Sequence, residues 1–342
     1  MPFVVGIDPG TVSIDLIGLR NGTPVFEKSL PTREALSARE HFVAQLTEHG
    51  RPELIAGPSG YGLPLLRAAD VTEADLRLAL LSAESDIGGI GGLGALLRLL
   101  ITSELPVVFT PGVIHLPSVP SHRKLNRIDL GTADKVAAAA LGIRDQSVRQ
   151  GIPARDTSFI LLELGGAFTA ALAVERGAII DGIGGSAGPM GWKSLGGWDG
   201  EVAFLAGQVT KDLLFRGGRS EPPADQLALE GWLEQAHKAV VALSVSLPRP
   251  REILLSGRHA GEREVTEQLV PRLAGLAPVR LLQGFTTSAK QGAQGAAILA
   301  DGLAGGPFRE IVESLRLREA KGTVLDWLRV MSPEAARRRL GL

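Results

Sequence analysis

The sequence predicts an α/β protein built from two like halves, each opening with three antiparallel strands. Three observations lead there. An apolar run over residues 3–8 stops at Pro9-Gly10-Thr11 and resumes over 12–19, the pattern of two strands joined by a tight turn. The same pattern returns at 159–164, with Gly165-Gly166 in the turn and a second strand over 169–174. Asp8 and Glu163, and likewise Gly10 and Gly165, stand 155 positions apart (163 less 8, 165 less 10), which reads as an internal duplication. Finally, 44% of the 342 residues are hydrophobic, mostly Ala, Leu, Val and Ile, with 43 Gly and a single Tyr. That mixture suits buried sheets under small-residue helices and argues against aromatic stacking on bases.

Each element follows from local pattern. Asn21-Gly22 turns the chain into a third strand over 23–30. Pro31-Thr32-Arg33-Glu34 opens a helix that runs through Leu46 and ends near Gly50. Residues 54–57 are a short apolar run of buried-strand type. They lead into the turn-rich Pro58-Ser59-Gly60-Tyr61-Gly62, at the strand end where open α/β sheets place ligands. Residues 72–101 read as mainly helical, interrupted over 86–94 by five glycines in nine residues. This interruption is either a substrate or nucleotide loop or a helix-to-helix linker. It is not a P-loop, because no Gly-Lys-Ser/Thr follows. Residues 106–109 form another buried strand.

The stretch 121–135 is the most charged of the first half. Arg123, Lys124 and Arg127 precede Asp129 and Asp134, and Thr132 with Asp134 is placed to cap a helix over 136–141. Arginine and lysine suit phosphate or carboxylate recognition, and an aspartate at a helix start suits a metal or a general base. The plainer reading is a solvated loop with an N-cap. The composition breaks at 144–156, which puts the halves at 1–150 and 151–306, followed by a helical tail over 307–342. In the second half, 178–180 is the third strand, 225–245 a long helix and 279–282 a further strand. The glycine-rich segment 184–200 carries Lys193 and is either a lid or an Ω-loop packed by Trp192 and Trp198.

Several function classes are excluded. Lys+Arg 36 against Asp+Glu 37 leaves a net charge of -1, so there is no basic field to recruit nucleic acid or an anionic membrane. The absence of cysteine removes disulfides, thiolate zinc sites and thiol nucleophiles. No apolar run approaches the roughly 18 residues of a membrane span, and the opening residues show no basic n-region or cleavage site, so a leader is not expected. His115 and His122 lack a third ligand at metal-site spacing. The expectation is a cytoplasmic protein whose partner is a small molecule, with no nucleic acid and no membrane, and with a homodimer left open.

Gly6-Ile7-Asp8-Pro9-Gly10-Thr11 resembles the first phosphate motif of the actin, sugar kinase and Hsp70 ATPase superfamily, the acetate and sugar kinase fold, and Glu163-Leu164-Gly165-Gly166-Ala167-Phe168-Thr169 resembles the second. Arg251-Glu252-Ile253-Leu254-Leu255-Ser256-Gly257-Arg258 is similar to the adenosine motif, and Lys290-Gln291-Gly292-Ala293-Gln294-Gly295-Ala296-Ala297 to the small-residue helix that closes the second domain. The segment from Gly182 to Gly197 looks like the Gly- and Pro-rich substrate side of butyrate and acetate kinases, and the chain resembles an uncharacterised butyrate-kinase-like group. It departs from the pattern in Glu163, where Asp is usual, and in Ser256-Gly257, where Gly-Gly is commoner.

The resemblance implies two duplicated RNase H-like domains, each a mixed sheet with flanking helices. It also implies an ATP- and Mg²⁺-dependent phosphotransferase acting on a small, carboxylate-bearing acceptor between them. On that reading Asp8 organises Mg²⁺, directly or through water. Gly10, Thr11, Gly165 and Gly166 cradle phosphates, and Ser256 and Gly257 border adenosine. Asp129, Asp134 and Glu163 are the candidates to position the metal or attacking group, with Arg123, Arg127 and Lys193 on the acceptor. The alternative is a nucleotide-driven switch or a non-catalytic ligand-binding sensor of the same fold.

Overall fold

The computed structural model describes residues 1–10, 12–82 and 92–342; Thr11 and the 86–91 part of the glycine segment lie outside the described residues. One sheet contains β1 (Phe3–Pro9), β2 (Ser13–Arg20), β3 (Thr23–Pro31), β4 (Leu54–Pro58), β5 (Leu66–Arg67) and β6 (Val107–Thr110). The other contains β7 (Ser158–Leu164), β8 (Thr169–Glu175), β9 (Ala178–Ile183), β10 (Glu252–Ser256) and β11 (Val279–Leu281). Their orders are β3-β2-β1-β4-β6-β5 and β11-β10-β7-β8-β9. In each, a leading strand pairs antiparallel with the next strand and parallel with a later one. This is the expected pair of mixed sheets led by three-strand antiparallel units.

The duplication extends to single hydrogen bonds. In the first hairpin Asp8 faces Asp15 across the ladder and the Gly10 N–H donates to the Ser13 carbonyl at 2.8 Å. In the second, Glu163 faces Ala170 and the Gly165 N–H donates to the Phe168 carbonyl at 3.0 Å.

Side chains alternate across a strand, and both leading strands are buried on both faces. Phe3, Val5 and Ile7 turn outward into a core with Phe42, Leu46 and Leu96, while Val4 joins the core between the sheets. By this parity Asp8 falls on the inner face with Val4 and Gly6. In β7, Ile160, Leu162 and Leu164 pack outward with Trp232 and Leu233 of the helix Gln226–Leu243, while Phe159 and Leu161 face the middle layer. Glu163 therefore also points inward.

Two helices fill the middle layer, Ala133–Gln150 and Gln291–Leu303. The Gln291 helix is buried from Ala293 to Gly302, and it lies over β1, β2 and β4 of the first sheet. The resemblance gave it as the small-residue helix that closes the second domain. The physical reason is close approach: a Cβ at Gly6 would stand 2.2 Å from the Ala293 carbonyl oxygen and 2.2 Å from the Ala297 nitrogen. Its partner packs toward the second sheet, where a Cβ at Gly142 would meet the Phe159 ring at 2.7 Å. The two helices cross where a Cβ at Gly295 would come within 1.8 Å of the Ala137 carbonyl, so their backbones touch.

Local differences from the sequence reading have simple causes. The helix expected through Leu46 breaks at Ala38 into Thr32–Ser37 and Arg39–Thr47. Residues 144–150, within the composition break read as the boundary between the halves, are the last turns of the Ala133 helix, ended by Gly151 at φ 63. The expected helical tail contains helices Arg309–Ser314 and Pro333–Arg339, with a short 3-10 turn at Leu317–Glu319 and irregular chain between them.

The helix crossing leaves no room for a methyl group. Gly295→Ala should therefore lower unfolding stability by about 1–3 kcal/mol, the usual cost of overpacking. Gly275→Ala, where a Cβ meets nothing within 4 Å, should change stability by less than about 0.5 kcal/mol. Chemical denaturation of the two variants checks the contrast.

Candidate active site

The inward parity of Asp8 and Glu163 and the start points of the two middle helices bring five charged side chains together. Asp8 comes from the end of β1 and Glu163 from the end of β7; Asp134 and Lys135 lie in the first turn of the Ala133 helix, and Lys290 caps the Gln291 helix. The Lys135 ammonium donates to Asp134 at 2.6 Å and to Glu163 at 3.0 Å, linking an acid of one half to an acid of the other. The Thr132 hydroxyl also donates to Asp134, so it serves that carboxylate instead of capping the helix. Lys290 donates from its ammonium to the Ser13 carbonyl at 2.6 Å and stands 3.4 Å from Asp15. Asp8 lies over the start of the Gln291 helix, where a Cβ at Gly292 would stand 2.6 Å from its carboxylate.

Charge and burial set the ionisation of the group. Burial, the Asp134 charge and the Glu163 charge push the Asp8 carboxyl up to about 7, against the opposing pull of Lys290 and Lys135. Glu163 is also raised by burial, with Lys135 opposing. Burial acts the same way on Asp134, but the adjoining Lys135 and the hydrogen bonds from Lys135 and Thr132 outweigh it and hold that carboxyl below its usual value. Lys135 is buried, which disfavours its charge, yet Asp134 and Glu163 together raise it. Lys135 serves Asp134 and Glu163, and Lys290 stands beside Asp15. Asp8 is left as the carboxylate of the cluster that no hydrogen-bond donor among the described residues reaches.

The glycine turns flank this cluster. A Cβ at Gly10 would lie 2.7 Å from the Lys290 ammonium, whereas a Cβ at Gly166 would meet only the Arg258 chain at 3.9 Å. The second turn thus opens outward beside an exposed arginine. Gly257, at φ 91, packs its backbone on the Leu164 carbonyl, a conformation that favours glycine. Ser256 next to it is fully buried, and its hydroxyl has no partner among the described residues.

Other candidate residues lie outside the cluster. Asp129 accepts the Gly131 N–H at 3.0 Å and both the N–H and hydroxyl of Ser186, each at 3.0 Å. Its carboxylate thereby fastens the 129–131 loop to the 184–186 loop. Arg123 donates to the Ile180 carbonyl at 2.7 Å and stands 3.6 Å from Asp181, along β9. Arg127 is exposed. The Lys193 and Ser194 N–H groups both donate to the Ala167 carbonyl, so the 191–197 segment lies across the second turn with the Lys193 side chain exposed. Thr11 lies outside the described residues.

Lys135 and Lys290 were not singled out from sequence as site residues. A signal existed: both are cations at helix N-termini, where the helix dipole disfavours positive charge.

The fit to a metal and to phosphates follows from the donors present. Among the described residues, no group of three His, Cys, Asp or Glu side chains is arranged to hold a metal ion by itself. One or two carboxylates with water and phosphate oxygens is, however, the usual surrounding of Mg²⁺, and Asp8, without a hydrogen-bond partner among the described residues, fits that role. The outward-opening Gly166 turn and the two helix N-termini fit an anion.

The raised Asp8 carboxyl has a consequence for stability. Its folded value lies above the unfolded 3.8, so the folded state holds the proton more tightly. Its stabilising effect is full below about pH 4 and is lost as pH rises through about 7. In metal-free buffer, Asp8→Asn should therefore be more stable than the wild type at pH 8, on the order of a few kcal/mol, with the difference shrinking toward pH 5. Denaturation curves at the two pH values test this.

Solved structures share this architecture at low sequence identity. A propionate kinase from Francisella tularensis subsp. tularensis SCHU S4 superposes with a TM-score of 0.59 at 13% identity, covering 86% of this chain and 99% of that one. An acetate kinase from Entamoeba histolytica gives 0.55 at 14%, covering 80% and 87%. An acetate kinase from Porphyromonas gingivalis gives 0.51 at 15%, covering 81% and 88%. The chain thus shares the fold of these acetate and propionate kinases. No curated protein sequence matches the chain. The profile of one family does match, over residues 6–330, and the chain belongs to that family, described as "Protein of unknown function (DUF1464)".

Proposed function

We propose that this protein is an ATP- and Mg²⁺-dependent phosphotransferase acting on a small, carboxylate-bearing molecule bound between its two sheets. The observation that carries the reading is the pair of acid-and-glycine hairpins, closed by the same hydrogen bond, with Lys135 of the middle layer bonding Glu163 of the second hairpin and Asp134, whose charge acts on Asp8 of the first. Phosphoryl transfer asks a protein mainly for positioning and charge neutralisation. Mg²⁺, when bound, would neutralise charge on the transferring phosphoryl group. Asp8 would hold it directly or through water, and Asp134 and Glu163, oriented by Lys135, would order the surrounding waters. The turns at Gly10, Thr11, Gly165 and Gly166 would cradle phosphates, with Ser256 and Gly257 beside adenosine. Lys193, exposed above the second turn, and Arg123 and Arg127 are the proposed acceptor cations. A carboxylate acceptor is already ionised at neutral pH and needs no general base; an alcohol would call on Asp134. The acetate and propionate kinases of the same fold support a short carboxylate, and a composition without cysteine fits a cytoplasmic setting.

Nucleotide use without an acceptor, as a switch, or ligand binding without turnover, as a sensor, are the competing readings. ATP consumption measured with and without a panel of short-chain carboxylates and sugars separates them. An acceptor should raise consumption well above the basal rate; slow hydrolysis indifferent to every acceptor would favour a switch, and binding without hydrolysis a sensor. Asp8→Asn should reduce Mg²⁺-dependent turnover by at least about a hundredfold, as loss of a group that neutralises transition-state charge does, while circular dichroism stays unchanged. Undiminished turnover would remove Asp8 from the proposed machinery.

A further inference from the structure

The first turn of the Gln291 helix touches three parts of the molecule with three successive residues. Lys290 grips the first hairpin: its backbone N–H donates to Asp15 at 2.8 Å and its ammonium to the Ser13 carbonyl at 2.6 Å. Gly292 lies under the Asp8 carboxylate. Between them Gln291 turns to the other sheet. Its Oε1 accepts the Gly257 N–H at 2.9 Å, and its Nε2 donates to the Leu282 carbonyl at 3.2 Å. Gly257 in turn rests on the end of β7, where a Cβ would stand 2.5 Å from the Leu164 carbonyl and 3.0 Å from the Glu163 side chain. One carboxamide thus spans from the helix that supports Asp8 to the glycine turn seated on Glu163.

We propose that Gln291 is a positioning residue for the nucleotide, setting where the Gly257 turn stands relative to Asp8. The inference rests on the nucleotide reading above. Both ends of the carboxamide are engaged, so its orientation is determined and it holds the peptide ahead of Gly257 in one direction. That glycine has a left-handed φ of 91, a region where glycine has broad freedom, and the bond from Gln291 narrows it. A base and ribose on the turn, and phosphates near Asp8, must be reached by one ligand of constant length. Loss of the bond lets the two ends shift relative to each other, which weakens ground-state binding while leaving the groups around the phosphates in place.

The test uses the full chain and MgADP as probe. Gln291→Met keeps the length of the side chain and removes both hydrogen bonds. It should weaken MgADP binding by calorimetry about tenfold, the effect of one lost hydrogen bond of ordinary worth. KM for ATP should rise to match, with kcat within about threefold. Gln291→Ala, which adds no bulk, replaces it should the Met variant not fold. Gln294→Met is the control for a purely structural role. Gln294 is buried, and its carboxamide accepts from Phe285 and Thr286 and donates to the Thr286 and Ala289 carbonyls. It should lower thermal stability yet leave MgADP affinity unchanged. Wild-type affinity in the Gln291 variants, or an affinity loss no greater than that of Gln294→Met, overturns the inference alone. A wild type that does not bind MgADP overturns the nucleotide reading and the inference with it.

Discussion

Backbone contact between the two middle helices is the constraint on which the rest of this structure depends. Gly295 against Ala137, and Gly6 against Ala293 and Ala297, leave no space for a side chain. Helices packed this closely bring their sheets close as well, and the inward faces of β1 and β7 then deliver Asp8 and Glu163 to one place. Larger residues at these contacts would separate the sheets and pull the acids apart. The run of alanine and glycine in the Gln291 helix is therefore a geometric requirement of the site, although none of those residues from Ala293 onward belongs to the charged cluster.

The same approach makes the cluster electrostatically tense. Acids buried together raise one another's proton affinity, and Lys135 relieves this for Asp134 and Glu163 by bonding both. Asp8 is left with the less direct help of Lys290, whose ammonium is committed to the Ser13 carbonyl. A protein selected only for stability would remove such a charge. Its position at the mouth of a glycine turn, between two helix N-termini, is what the proposed function uses to bring a cation and an anion together.

Around this centre lie groups whose work is to hold loops. Asp129 spends its carboxylate on Gly131 and Ser186, and the 191–197 segment lies across Ala167 by two backbone hydrogen bonds. The second turn is thereby braced from above, while the first is braced from below by Lys290 and Asp15.

Much of this was legible in the chain itself. Apolar runs, turn residues and the recurrence of an acid and glycine at each turn determined the two three-strand units and their duplication, because strand periodicity and turn chemistry are local. Lys135 and Lys290 were readable in principle, as cations where a helix dipole opposes them. Which sheet each middle helix covers, the bond of Lys135 to Glu163 and the reach of Gln291 to Gly257 were decided only by tertiary structure. They join residues 28 to 34 positions apart, or halves of the chain that local pattern treats separately. Asp129 and Asp134 show the limit most plainly. Both are acids ahead of or within the same helix start, and local pattern offers the same chemistry for each. Only the packing of the second sheet sends one to a loop and the other to the charged centre.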